Sequence, residues 1–176
     1  LLPEILDWIN KNPGLPVILI GTSMGGKIIL ELSNLLPNTI PVLVISLAGA
    51  IGGSGLLTLG ESLGLAKFLV NETLRNEMVY DSDRNKQLLT TSKTRANEGN
   101  IWYVFLGTTD DPLLVDPSMA FPNISDDSLN ILFKGFGHSG IVNNSLNIVL
   151  ELLNKWYDTK TFDISFENYP EILSRK

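Results

Sequence analysis

Three short segments carry residue types that together can perform nucleophilic acyl transfer. The first is Gly21-Thr22-Ser23-Met24-Gly25, a Gly-x-Ser-x-Gly pattern with Ser23 as candidate nucleophile. A serine hydroxyl attacks a carbonyl well only when a base takes its proton. The chain has one histidine, His138, in Gly137-His138-Ser139-Gly140, and it is the candidate base. A third group must orient the imidazole and stabilise its charged form. Gly107-Thr108-Thr109-Asp110-Asp111-Pro112 offers two carboxylates. Asp110, three residues past the glycine, is the expected acid, and Asp111, directly before the proline, is the alternative. The carboxylate left over is expected to cap the following turn.

Each segment has an ordinary reading: a glycine turn with a serine cap, a surface histidine, two turn aspartates. Their placement argues for chemistry instead. Pro16-Val17-Ile18-Leu19-Ile20 is a short apolar run, as in a buried parallel strand. After Ser23, the apolar residues Ile28, Ile29, Leu32, Leu35 and Leu36 mark one face of a helix. Ser23 therefore falls on a strand-to-helix turn, where helix N–H groups have no intrahelical partner. The Met24 N–H is the expected oxyanion donor. Side chains at Gly21 and Gly25 are expected to collide with neighbouring backbone in so sharp a turn.

The remaining elements follow the same rhythm. Leu1, Leu2, Ile5, Trp8 and Ile9 recur at helical spacing before Asn12-Pro13-Gly14 ends the run. Residues 42–45, 101–106 and 129–133 read as further strands. A last helix carries Leu146, Val149, Leu150, Leu153 and Trp156 on its expected apolar side. Strands alternating with helices predict an α/β fold: a parallel sheet of about four strands, helices on both faces. The two aspartates and His138 then leave the carboxyl ends of the third and fourth strands, the edge that carries Ser23.

Residues 50–100 interrupt the pattern, opening on Gly52-Gly53-Ser54-Gly55 and the apolar stretch 56–70. A connection of that length is functional or has structure of its own. The expected organisation is a core of 1–49 and 101–157, a cap or lid insertion at 50–100, and a tail at 158–176 with no clear pattern.

Gly21-Thr22-Ser23-Met24-Gly25-Gly26-Lys27 also fits the first seven positions of a phosphate-binding P-loop. The eighth position needs Ser or Thr for magnesium, and Ile28 stands there. A nucleotide binder is thus an alternative function with its metal partner missing.

The serine, aspartate and histidine segments, in that chain order, resemble the α/β-hydrolase superfamily. The stretch 17–26, ending Ser-Met-Gly-Gly, is similar to lipases and esterases, and 47–54 to the point where a lid commonly begins in lipase-like members. The resemblance implies a partial α/β-hydrolase fold covering the family's C-terminal half to two-thirds, with this chain's strands as the fifth to eighth. It places the residues around 74–89 in the cap. It implies hydrolysis of carboxylic esters through an acyl-enzyme, a small-molecule or lipid ester as partner, and no metal or organic cofactor. Thr22 departs from the histidine often found before the nucleophile. The family's second oxyanion donor lies in a loop upstream of where this chain begins. A catalytically silent hydrolase fold used for binding is the other alternative.

Bulk composition narrows the classes. With 13 Lys and Arg against 19 Asp and Glu, net −6, nucleic acid is not an expected partner. The absence of cysteine excludes disulfides, thiolate metal sites and cysteine nucleophiles. No run of about 18 apolar residues suggests a membrane span. Oligomeric state and compartment stay open, with the cytoplasm as default.

Overall fold

The computed structural model describes residues 1–54, 82–114 and 116–175. Within them lie α1 (Leu2–Lys11), β1 (Val17–Thr22), α2 (Met24–Ser33), β2 (Val42–Leu47), α3 (Asp83–Asn97), β3 (Ile101–Thr108), a 3₁₀ turn (Pro117–Ala120), β4 (Leu129–Phe133), α4 (Gly137–Asn144), α5 (Leu146–Thr159) and β5 (Ile172–Arg175). The five strands form one sheet in the order β1-β2-β3-β4-β5. The first four are parallel, and β5 runs antiparallel to β4. The molecule is thus an α/β protein with a mostly parallel sheet.

Alternation along the strands separates two cores. Val17, Leu19, Val42, Val44, Ile101, Tyr103 and Phe105 face one side, where Ile9 of α1, Ile29 and Leu30 of α2 and Leu88 of α3 cover them. Leu43, Ile45, Leu47, Val104, Leu106, Ile131 and Phe133 face the other, beneath Ile141 of α4 and Ile148, Val149, Leu152 and Trp156 of α5. Helices therefore cover both faces, as the strand–helix alternation implies. Every residue of β2 is buried. β1 lies at the sheet edge, and on it Ile18 and Ile20 are exposed, so it is not the fully buried strand its apolar run suggests.

Other differences from the sequence expectation have physical causes. Residues 83–97, read as insertion, are helical and reach the core. They form α3 between β2 and β3, with Leu88 in the core and the side chain of Ser82 accepting the Asn85 N–H as N-cap. The apolar stretch 56–70 and the rest of the proposed insertion up to residue 81 lie outside the described residues. The tail, which has no clear pattern in the sequence, adds a strand. Phe162, Ile164, Phe166, Tyr169 and Ile172 pack against the second core, and this brings β5 alongside β4. In α5 the sheet selects the face of Ile148, Val149, Leu152 and Trp156, leaving Leu146 and Leu150 exposed. That helix is apolar on more than one side, so periodicity alone cannot choose between them. Among the described residues no helix is long and apolar enough to cross a membrane.

Candidate active site

Ser23 closes the tight connection between β1 and α2. Its backbone lies at φ 53°, ψ −126°, outside the regions open to residues with a side chain. Three backbone hydrogen bonds hold it there. The Ser23 N–H donates to Leu47 O at 3.0 Å, and Ser23 O accepts from Gly26 N at 3.1 Å and Ala50 N at 3.2 Å. The turn is thereby tied to the end of β2.

The glycines around it have unequal roles. A Cβ on Gly21 would stand 2.4 Å from Gly25 O, a backbone clash that nothing nearby can relieve. A Cβ on Gly25 would meet nothing within 4 Å, contrary to the sequence expectation. The second close approach is at Gly26, where a Cβ would lie 2.3 Å from Ser46 Oγ and 2.9 Å from Gly49 Cα. α2 thus crosses β2 at Gly26, and this partner, distant in sequence, makes glycine necessary there.

The acid and base loops follow β3 and β4. His138 is the second residue of α4, and its Nδ1 lies 2.7 Å from Asp111 Oδ2. The Asp111 side chain is 1% exposed and the His138 ring 15%. The other Asp111 oxygen, Oδ1, accepts from the backbone N–H groups of Leu113 at 2.9 Å and Leu114 at 3.2 Å. An ionised carboxylate can only accept, so the bridging proton sits on Nδ1, and in the neutral ring the lone pair is then on Nε2. The partner of His138 is therefore Asp111, and the expectation of Asp110 is corrected. Thr109 and Asp110 form an exposed turn, in which Asp110 Oδ1 accepts from Thr109 Oγ1 at 2.7 Å. Capping and histidine pairing, expected of two different aspartates, are both done by Asp111 with separate oxygens.

Neighbouring groups shape the His138 loop. Phe136 N donates to Thr108 Oγ1 at 3.3 Å, and Thr109 N to Phe133 O at 3.0 Å. Gly135 and Gly137 take φ of +84° and +63°, which a side chain would strain. Nothing in the local sequence pattern singles out Thr108, because its role depends on the loop of another strand.

Ser23 stands at the carboxyl end of β1, Asp111 beyond that of β3, and His138 beyond that of β4. One strand, β2, separates β1 from β3, roughly 10 Å between axes. The structure joins Asp111 to His138 directly and puts Ser23 at the same edge of the sheet. The Ser23 hydroxyl caps no α2 amide. Among the described residues the His138 ring is hydrogen-bonded through Nδ1 alone. Met24 opens α2 and is itself exposed, so its N–H belongs to the unpaired first turn.

Lys27, the P-loop candidate, is 3% exposed, and its ammonium donates to Asn85 Oδ1 of α3. Among the described residues no group of three or more His, Asp or Glu side chains is placed to hold a metal ion. The fold and site define an α/β protein with a strained serine and an aspartate–histidine pair at one sheet edge. No protein-family model and no curated protein matches the chain.

Proposed function

We propose that the protein is a serine hydrolase of the α/β-hydrolase type that cleaves carboxylic esters. One observation carries the reading: a serine forced to φ 53° between a parallel strand and a helix, at the sheet edge that also holds the Asp111–His138 pair. Strain of this kind persists only where surrounding structure over-determines it. A turn without chemistry would accept glycine at no such cost.

In the proposed reaction, His138 Nε2 takes the Ser23 proton as Ser23 Oγ attacks the ester carbonyl. Asp111 holds the ring with Nδ1 protonated and stabilises the imidazolium that forms. The Met24 N–H donates to the developing oxyanion. His138 then returns the proton to the leaving alcohol, and water activated by the same imidazole clears the acyl-serine. Strands β1–β4 would correspond to the family's fifth to eighth.

Burial of Lys27 against Asn85, with Ile28 at the magnesium position, weighs against the nucleotide-binding reading. The test is labelling of the full-length protein with a fluorophosphonate probe. Labelling is expected in the wild type and absent in Ser23→Ala. Labelling that persists in the variant assigns the nucleophile elsewhere and overturns the proposal.

A further inference from the structure

We infer that two buried hydroxyls, Ser54 and Thr108, are positioning residues that brace the Asp111–His138 pair from opposite sides. Ser54 lies in the segment leaving β2 and is 6% exposed. Its Oγ donates to Leu113 O at 2.8 Å. The N–H of the same Leu113 holds Asp111 Oδ1 at 2.9 Å. Ser54 thus grips the residue that orients the carboxylate. Gly52 N, donating to Met119 O at 2.9 Å, ties the same segment to the far end of the acid loop.

Thr108 works on the base side. It is the last residue of β3, fully buried, and its Oγ1 accepts the N–H of Phe136. Phe136 is the residue before α4, two positions from His138. The strand that leads into Asp111 therefore also anchors the loop that carries His138. The loop needs such a tether, because its glycines at 135 and 137 take conformations that many other backbone paths compete with.

Neither hydroxyl contacts the imidazole, so neither is a catalytic residue. Their effect runs through the geometry of the Asp111–His138 hydrogen bond. Displacement of a reacting group by about 1 Å can cost 10²-fold in rate. The rate consequence rests on the ester-hydrolase reading; the geometric one does not.

A single histidine makes the pair directly observable. The proton in a short imidazole–carboxylate hydrogen bond resonates far downfield, and here it can belong only to His138. The experiment records that proton by NMR in the full-length wild type, Ser54→Ala, Thr108→Val, and the rescue variants Ser54→Thr and Thr108→Ser. Kinetics on a short p-nitrophenyl ester and the melting temperature are measured alongside.

Ser54→Ala and Thr108→Val are expected to broaden or abolish the signal and to lower kcat about ten-fold with KM unchanged, the mark of an interaction needed in the transition state. The rescue variants are expected to restore both. A signal unchanged in either hydroxyl-free variant overturns the role of that hydroxyl, whatever the activity does. Loss in the rescue variants as well means general loosening and overturns the brace. A wild type that shows the proton but hydrolyses no ester overturns the proposed function and leaves the brace standing.

Discussion

Asp111→Asn compared with Asp110→Asn separates two neighbouring carboxylates by role. In the wild type Asp111 divides its oxygens, Oδ1 on the amides of Leu113 and Leu114 and Oδ2 on His138. In Asp111→Asn the amide oxygen remains on the two backbone N–H groups, leaving the amide NH₂ against Nδ1. Nδ1 must then accept, which moves the imidazole proton to Nε2. The ring can no longer take the Ser23 proton. A tautomer switch of this kind costs about 10⁴-fold in kcat in triad enzymes, or about 5.4 kcal/mol of transition-state stabilisation. The fold should survive, because both groups facing the new amide still have partners. Asp110 is exposed and hydrogen-bonded to Thr109, so Asp110→Asn should change kcat by less than about 3-fold. The assay is kcat and KM on p-nitrophenyl esters, with Tm measured on each variant. Equal losses in the two variants, or an Asp111→Asn enzyme within ten-fold of wild type, would refute the reasoning.

Strain at Ser23 should trade stability against activity. Relief of about 1–3 kcal/mol against the entropy cost of glycine, about 0.5–1 kcal/mol, makes Ser23→Gly more stable by about 1 kcal/mol. Thermal unfolding should show a Tm rise of about 3 °C, with turnover abolished; a lower Tm would contradict the strain. The glycine clashes predict that Gly21→Ala and Gly26→Ala each destabilise by about 1–3 kcal/mol or more, whereas Gly25→Ala has room and should be neutral or slightly stabilising. Denaturant unfolding of the three variants checks the order. Partial burial and the 2.7 Å hydrogen bond to Glu151 push the Tyr169 phenol up to about 12 from its ordinary value near 10. Because the folded-state value is raised, the stabilisation is complete below about pH 10 and lost as pH rises towards about 12. The Tm gap between wild type and Tyr169→Phe should therefore be constant from pH 7 to 9 and shrink above pH 10.

Local pattern was enough for the layers of the fold and the places of Ser23 and His138, and failed where the deciding contact is remote. Residues 42–45 and 101–106 are continuous apolar runs and 129–133 is broken only by Asn130, so the pattern exposes these strands. The helix α2 is equally legible, but its buried apolar residues are Ile29 and Leu30, whereas Ile28 and Leu35 of the expected face are exposed. Asp110 and Asp111 differ by one position in a turn, and counting from Gly107 cannot show which one is buried. The informative clue was the leucine pair after Asp111-Pro112, whose N–H groups the aspartate caps. Gly25 belongs to the recognisable five-residue pattern, but the helix–strand crossing falls on Gly26, and its partners Ser46 and Gly49 lie some twenty residues on. β5 is four residues long and forms only because the aromatic and aliphatic residues before it dock on the second core. Ser54 and Thr108 are unremarkable as letters; only the loops they meet give them a role.

The same hydrogen bonds that strain Ser23 also connect it to the other loops. Ala50, which binds Ser23 O, is buried with Leu114 and Ala120 in a small cluster under the acid loop. Leu114 in turn donates to Asp111 Oδ1. A continuous path of packed and hydrogen-bonded groups therefore runs from the Ser23 turn, through the β2 exit, to the carboxylate that holds His138. A strained turn on an unsupported loop would relax towards an allowed conformation. Here relaxation would have to break bonds to Leu47 and Ala50, and the latter is locked against the acid loop. The strain at the serine and the order of the aspartate–histidine pair are thus coupled through residues 47–54, so a substitution in that segment should disturb both ends together.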